Sequence, residues 1–250
     1  MRLDVLFSAA RHRWPDLVDR VQAAERDGFE TAWVYDHLSG AALGGTTMME
    51  CFALCGALAA STTTIGIGSL VVNAANRTPG MTVTAAATVQ EISGGRFVFG
   101  LGAGAAPGSR WASEHEVLGN PLPPTIALRH ERVVEVLDLC DAMWDPQRGE
   151  QFAGFPLPSP RPPIVLGVNS EPLARLAGAR CDGVNVFHAH PQLREIIGEA
   201  RRARSSSRDR CTSPLSVSVW LPWSDEALDR GGDLQARFAA LGVDRMILVA

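Results

Sequence analysis

Two rhythms of apolar and polar positions alternate along this chain. Short runs rich in β-branched and aromatic residues are separated by stretches in which apolar residues recur every three or four positions. Residues 3–7 form the first run, after which Trp14-Pro15 places proline near a first helical position. Leu17, Val18, Val21 and Ala24 continue at helical spacing, and Gly28 ends that segment. The same rhythm predicts further strands at 31–35, 64–72, 96–101, 164–166, 183–187, 215–221 and 245–249. Helices are predicted between them at 48–60, 80–92, 126–144, 172–179, 191–204 and 226–240. In the helix at 126–144, Val133, Val136, Leu137, Cys140 and Met143 share one face.

Strands joined through helices run parallel with right-handed crossovers. Eight strands with seven intervening helices favour a compact (β/α)8 barrel of the α/β class over an open doubly wound sheet. A strand closes the pattern, so the final outer helix of such a barrel is expected to be lacking, and that edge should expose apolar surface unless a subunit or loop covers it. A connector with six prolines at 145–163 returns to the same alternation. It reads as a surface excursion within one domain spanning 1–250.

Composition narrows the chemistry. The chain is 46% apolar and 20% charged, and its 23 basic and 27 acidic residues give a net charge of −4 without long runs. A nucleic-acid partner needs a basic face, which this balance does not suggest. All 23 basic residues are arginine. This excludes chemistry that requires an ε-amine, such as lysine Schiff bases, and leaves acid–base work to His, Asp, Glu, Tyr or Cys. The cysteines (Cys51, Cys55, Cys140, Cys181 and Cys211) are odd in number, scattered and free of any CxxC, which points to a reducing compartment. Cys51 and Cys55, one helical turn apart, read as packing residues. No apolar run approaches the roughly 18 residues of a membrane span, and the first residues read as a strand. A cytoplasmic protein with no membrane or nucleic-acid partner is the expectation.

The site of such a barrel lies at the C-terminal ends of its strands. Asp36-His37 follows the second strand; histidine suits proton transfer near neutral pH, and an adjacent carboxylate could tune it, or the pair simply packs there. Gly102, Ala103 and Gly104 end a run of alternating glycines that would admit a flat ring or a phosphate, or serve tight barrel geometry; the spacing is not that of a dinucleotide fingerprint. Gly167, Val168, Asn169, Ser170 and Glu171 lead into a helix whose free N–H groups form either a phosphate cradle or an ordinary cap. His188 and His190 lack a third ligand for a metal, so no metal is expected; they belong to a substrate pocket or a solvated loop. Glu114-His115-Glu116, with His115 a pocket candidate, is open in the same way. Trp111 and Trp223 are candidate pocket walls or packing residues. No GxSxG nucleophile motif occurs.

These segments carry a family resemblance. Ala24 to Phe29 with Trp33-Val34-Tyr35-Asp36-His37-Leu38, Ile67-Gly68 through Asn73 with Arg77-Thr78-Pro79, and Ser93-Gly94-Gly95-Arg96 with Gly100 to Gly104 resemble the bacterial-luciferase-like flavin and deazaflavin oxidoreductases. Pro162 to Gly167, Leu176-Ala177-Gly178 with Asp182-Gly183, and Leu241 to Asp244 extend the match over nearly the whole chain. The resemblance implies a TIM barrel that carries coenzyme F420, or alternatively FMN, in its mouth. It implies a non-proline cis peptide near Leu70-Val71 behind the ring, with Ser69, Leu70, Val71 and Asn73 among the cofactor contacts. Asn169, Ser170 and Glu171 would meet the cofactor's phosphate end. Asp36-His37 is typical of the F420-dependent branch and implies a catalytic His37. Ala105 and Ala106 stand where some members have an acid, so His37 is expected to act alone or with substrate. A homodimer is implied too. The leading function is an F420-dependent oxidoreductase moving a hydride to or from a small organic molecule. The alternatives are an FMN-dependent monooxygenase using O2 and a non-catalytic flavin-binding protein.

Overall fold

A computed structural model describes residues 1–207 and 213–250; Cys211 lies outside the described residues. The strands are β1 (Arg2–Phe7), β2 (Thr31–Val34), β3 (Gly66–Ser69), β4 (Val72–Asn73), β5 (Phe97–Gly102), β6 (Ile164–Gly167), β7 (Gly183–Phe187), β8 (Ser216–Pro222) and β9 (Arg245–Val249). All pair in parallel, in the order β3-β2-β1-β9-β8-β7-β6-β5-β4, and a further pairing of β3 with β5 closes the sheet into a cylinder. Since β3 and β4 are two pieces of one stave, the barrel has eight staves, as the alternation predicts.

The helices form the outer layer: α1 (Trp14–Arg26), α2 (Cys51–Ser61), α3 (Pro79–Ile92), α4 (Ser113–Val117), α5 (Ile126–Met143), α6 (Glu171–Arg180), α7 (Leu193–Ser206), α8 (Asp225–Leu228) and α9 (Asp233–Ala240). Each long helix turns an apolar stripe to the sheet. In α1 it is Leu17, Val21 and Ala24; in the arginine-rich α7 it is Leu193, Ile196, Ile197 and Ala200. Glu25, inside the Ala24–Phe29 motif, ties α1 to the start of the third stave. Its carboxylate accepts the N–H groups of Thr63 (2.8 Å) and Ile65 (3.0 Å), among others. Burial raises its pKa, but these donors outweigh that and hold it at about 2. Among the described residues no helix is long and apolar enough to cross a membrane.

Three expectations change. The segment predicted as a helix at 226–240 is two short helices, α8 and α9, because Gly231 between them has φ of +85°. The loop after β5 holds the short α4, which no apolar period announces. The edge beside β9 is not bare: Met246 and Leu248 are buried in the same core as Leu17 and Phe238.

The cylinder is plugged from its N-terminal end. Asp4, fully buried, accepts Arg245 Nη1 (2.5 and 2.6 Å) and Trp33 Nε1 (2.7 Å). Burial pushes the Asp4 carboxyl up, with Arg245 and Trp33 opposing. Above this pair Leu6, Trp33, Leu70 and Ile247 fill the interior, and Tyr35, Val71 and Trp220 pack on them. Among the described residues, the interior of the cylinder therefore leaves ligand space at the C-terminal mouth.

The third stave is read as continuous from sequence at 64–72, but it breaks at Leu70-Val71, where the peptide bond is cis. Ser69 Oγ fills the broken ladder, donating to Gly100 O (2.9 Å) and accepting Gly100 N–H (3.1 Å). Ser69 is wholly buried and does not line the cavity, so its work is to pin this bulge rather than to touch a cofactor. The glycines opposite make the bulge possible: a Cβ on Gly100 would overlap the Ser69 carbonyl oxygen, and one on Gly102 would sit 2.5 Å from Val71 Cγ2. Gly100→Ala should therefore lower stability by about 1–3 kcal/mol or more. Gly80→Ala, in α3 with open space around its Cβ, should be neutral or stabilising by up to about 1 kcal/mol. Denaturant unfolding of the two variants checks the contrast.

Candidate active site

A cavity of about 450 Å³ opens at the C-terminal ends of the strands. Tyr35, Asp36 and His37 line it after β2, Leu70, Val71 and Asn73 at the bulge, and Gly102 to Ala105 after β5. Trp111 and Glu114 enter from the loop carrying α4; Gly167, Val168, Asn169 and Leu173 come from the β6–α6 junction. Asn185, Phe187, His190 and Trp220 complete the wall.

Asp36 and His37 are neighbours in sequence with separate tasks. The buried Asp36 carboxylate takes both ends of the Arg77 guanidinium (2.7 and 2.8 Å), the Asn73 N–H (2.9 Å) and Asn76 Nδ2 (3.0 Å). Arg77 also pairs with Glu50. Burial lowers the Arg77 pKa, but Asp36 and Glu50 more than reverse this, so the cation is permanent. Asp36 makes no bond to the His37 ring; it locks the β2 and β4 ends together. The carboxylate that bonds the His37 ring is therefore not its neighbour in sequence.

The carboxylate at His37 is Glu114, from α4. His37 Nδ1 lies 3.0 Å from Glu114 Oε1, and Glu114 Oε2 accepts the N–H groups of Leu38 (3.0 Å) and Ser39 (2.9 Å). The Glu114 side chain is 4% exposed. Burial alone would raise its pKa, but the His37 hydrogen bond and the two backbone donors hold it below the ordinary 4.5. An ionised carboxylate only accepts, so the proton sits on His37 Nδ1 and Nε2 is the ring's free position. The His37 ring thus has a carboxylate partner. An acid comes from ten residues beyond Gly104, which the absence of one at Ala105 and Ala106 concealed. Trp111 backs the His37 ring at 5.1 Å between centroids, with the Arg110 guanidinium 3.9 Å above the Trp111 ring.

His115 is not a pocket residue. It is 2% exposed, and its Nε2 lies 3.3 Å from Asn73 Nδ2. Asn73 Oδ1 accepts the Ala75 N–H (2.9 Å), which orients the amide so that Nδ2 donates to His115. His188 and Trp223 also lie off the cavity lining; His188 stands edge-on to Phe187, and Trp223 packs on Phe29. Ser170 and Glu171 sit just beyond the lining, at the start of α6, where Ser170 Oγ is buried without a partner. The lining residues not singled out from sequence are Tyr35, Leu43, Leu173, Asn185, Phe187 and Trp220, while Glu114 was named there but left open. Several lie within strand ends rather than after them. Asn185 did carry a signal, as a lone amide inside an apolar strand; it donates to Ser218 Oγ at 2.9 Å. Among the described residues no three His, Cys, Asp or Glu side chains are grouped to hold a metal ion.

Glu114→Gln would place an amide N–H₂ near donors, and about 1–3 kcal/mol of stability should be lost at neutral pH. The folded-state pKa is depressed, so the wild-type advantage is present above 4.5 and fades as pH falls through and below it. Urea unfolding of both proteins across this range measures it.

Residues 1–224 match the family described as Luciferase-like monooxygenase. The 5,10-methylenetetrahydromethanopterin reductase of Archaeoglobus fulgidus is 29% identical over 185 residues, covering 72% of this chain and 51% of the relative. The F420-dependent hydroxymycolic acid dehydrogenase of Mycobacterium tuberculosis is 27% identical over 253 residues, covering 96% and 68%. This chain thus spans about half to two thirds of the length of such relatives. Among solved structures, the F420-dependent tetrahydromethanopterin reductase from Methanopyrus kandleri superposes with a TM-score of 0.73 at 16% identity, over 100% of this chain and 94% of the other. An F420-dependent secondary alcohol dehydrogenase, in complex with an F420-acetone adduct, gives 0.76 at 17% identity, over 100% and 93%. The fold is shared with both structures, and by its sequence the chain belongs to the luciferase-like monooxygenase family.

Proposed function

We propose that this chain is an F420-dependent oxidoreductase that moves a hydride between the deazaflavin ring and a small organic substrate. The observation that carries the reading is the His37–Glu114 pair at a cavity backed by the Leu70-Val71 bulge. The names of the relatives support it, since two of them are F420-dependent dehydrogenases.

The residues present fit such a carrier. Gly102 and Gly167 leave room for the Val71 side chain, so the bulge itself forms the wall against which a flat ring can lie. At the start of α6, the first-turn N–H groups have no helical partner and the Ser170 hydroxyl is buried and unpartnered, which suits an anionic tail. Bound there, the coenzyme supplies hydride transfer at its ring carbon. His37 holds or releases a proton at Nε2 while Glu114 fixes its tautomer and stabilises the charged ring. Leu70, Val71, Phe187 and Trp220 keep water from the reacting face. Asn169, Ser170 Oγ and the α6 N–H groups hold the tail.

Side-by-side titrations with F420 and FMN test the reading. Saturable F420 binding, followed by its fluorescence, with FMN weaker, is expected; tight FMN binding without F420 affinity would point to a flavin monooxygenase. With a substrate the wild type turns over, His37→Ala should cost about 10²- to 10⁴-fold in kcat while F420 still binds. Unchanged turnover would remove His37 from the chemistry.

A further inference from the structure

The cavity wall away from Leu70-Val71 has a character that the proposed chemistry does not require. No arginine is among the described residues that line it, and the chain contains no lysine. Two carboxylates stand there instead. Asp36 is neutralised by the bidentate Arg77, which is shared with Glu50. Glu114 is stabilised by neutral backbone donors and His37 rather than by a guanidinium. An anionic group brought into this space would lose its hydration and meet no guanidinium among the described lining residues, Arg110 being stacked on Trp111 outside that lining, which is costly. The wall is otherwise aromatic. Phe187 and Trp220 are register partners on adjacent strands, their ring centroids 4.6 Å apart.

One polar group there is unassigned. His190 closes the turn after β7, its N–H bonded to Phe187 O (3.0 Å) and its carbonyl accepting the Leu193 N–H (3.0 Å). Its Nδ1 accepts the Gln192 N–H at 3.1 Å. Nδ1 is therefore a lone pair, and the ring's proton is on Nε2. His37 has the opposite arrangement, with Nδ1–H donated to Glu114 and Nε2 left free. The cavity thus holds one imidazole fixed as a donor and one with a free acceptor nitrogen.

We propose that the substrate is an uncharged molecule with an apolar body and one carbonyl or hydroxyl oxygen, that Phe187 and Trp220 pack on the body, and that His190 Nε2–H donates to the oxygen. This rests on the F420-dependent reading, and it adds what that reading leaves open: the charge class of the substrate and the residue that selects its polar end. His190 contacts the substrate; the hydride and the proton at His37 need no contribution from it.

The test uses the chain saturated with F420 and three probes of similar shape: cyclohexanone, its hydrocarbon counterpart methylenecyclohexane, and cyclohexanecarboxylate. Saturation-transfer NMR measures each Kd while F420 fluorescence reports cofactor occupancy in the same samples. Cyclohexanone should bind at least about tenfold more tightly than the carboxylate. His190→Phe should weaken the ketone by about tenfold without weakening the hydrocarbon. His190→Gln, which retains an N–H donor, should recover most of the ketone affinity, and unchanged thermal midpoints show that both variants fold. The proposal is overturned by a carboxylate that binds as well as the ketone, by a ketone indifferent to His190→Phe, or by no ketone binding below about 10 mM. If F420 itself fails to bind, the function reading falls separately, and the same panel on the chain alone still decides the charge preference of the cavity.

Discussion

The site depends on one steric constraint: the third stave of the barrel breaks at Leu70-Val71, and the neighbouring staves have no side chains in the way. Ser69 takes over the lost ladder contacts to Gly100, and the Val71 side chain sits where Cβ atoms on Gly102 and Gly167 would stand. The protruding bulge forms the back wall of the cavity. It also turns Asn73 so that its N–H reaches Asp36 and its amide reaches His115. Below it, Leu70 packs with Leu6, Trp33 and Ile247, so the bulge rests on a filled interior and cannot sink into the barrel. A close-packed core of this kind transmits a change at one glycine to the whole mouth.

Electrostatics then divide the labour between two acidic side chains that both reach the mouth. Asp36 meets a permanent cation and two N–H donors and serves as a rivet between strand ends. Glu114 meets one imidazole and two backbone N–H groups, so its charge remains available to stabilise a proton on His37. The Glu114 contacts also fasten the loop bearing α4 over the cavity, which links the order of that loop to the tautomer of the histidine. His115, beside Glu114 in sequence, faces inward to Asn73 and completes the join between loop and bulge.

The barrel was legible because strand and helix periods differ and alternate through eight strands and seven helices with few interruptions. Gly102 to Gly104, Gly167 to Asn169 and His37 were legible from their positions at strand ends, and Leu70-Val71 only through family resemblance. The pairing of His37 with Glu114 was not legible. The two residues are 77 positions apart, and α4 is too short for an apolar stripe to announce it. Asp36 misled for the opposite reason: adjacency in sequence at a strand end places successive side chains on different faces. Looking only after each strand also missed Phe187 and Trp220, because inward-pointing residues of the staves themselves form the wall of the mouth, and Tyr35 was missed because the second strand, read as 31–35, ends at Val34. His188 and Trp223, which do follow strands, pack outside it.

The most direct measurement is a crystal structure of the chain grown with F420. The ring is expected in the C-terminal mouth, with the Leu70-Val71 bulge behind it, His37 Nε2 facing its reacting edge and the anionic tail at the start of α6. A ring bound elsewhere on the barrel, or a tail directed away from Asn169 and Ser170, would contradict this placement.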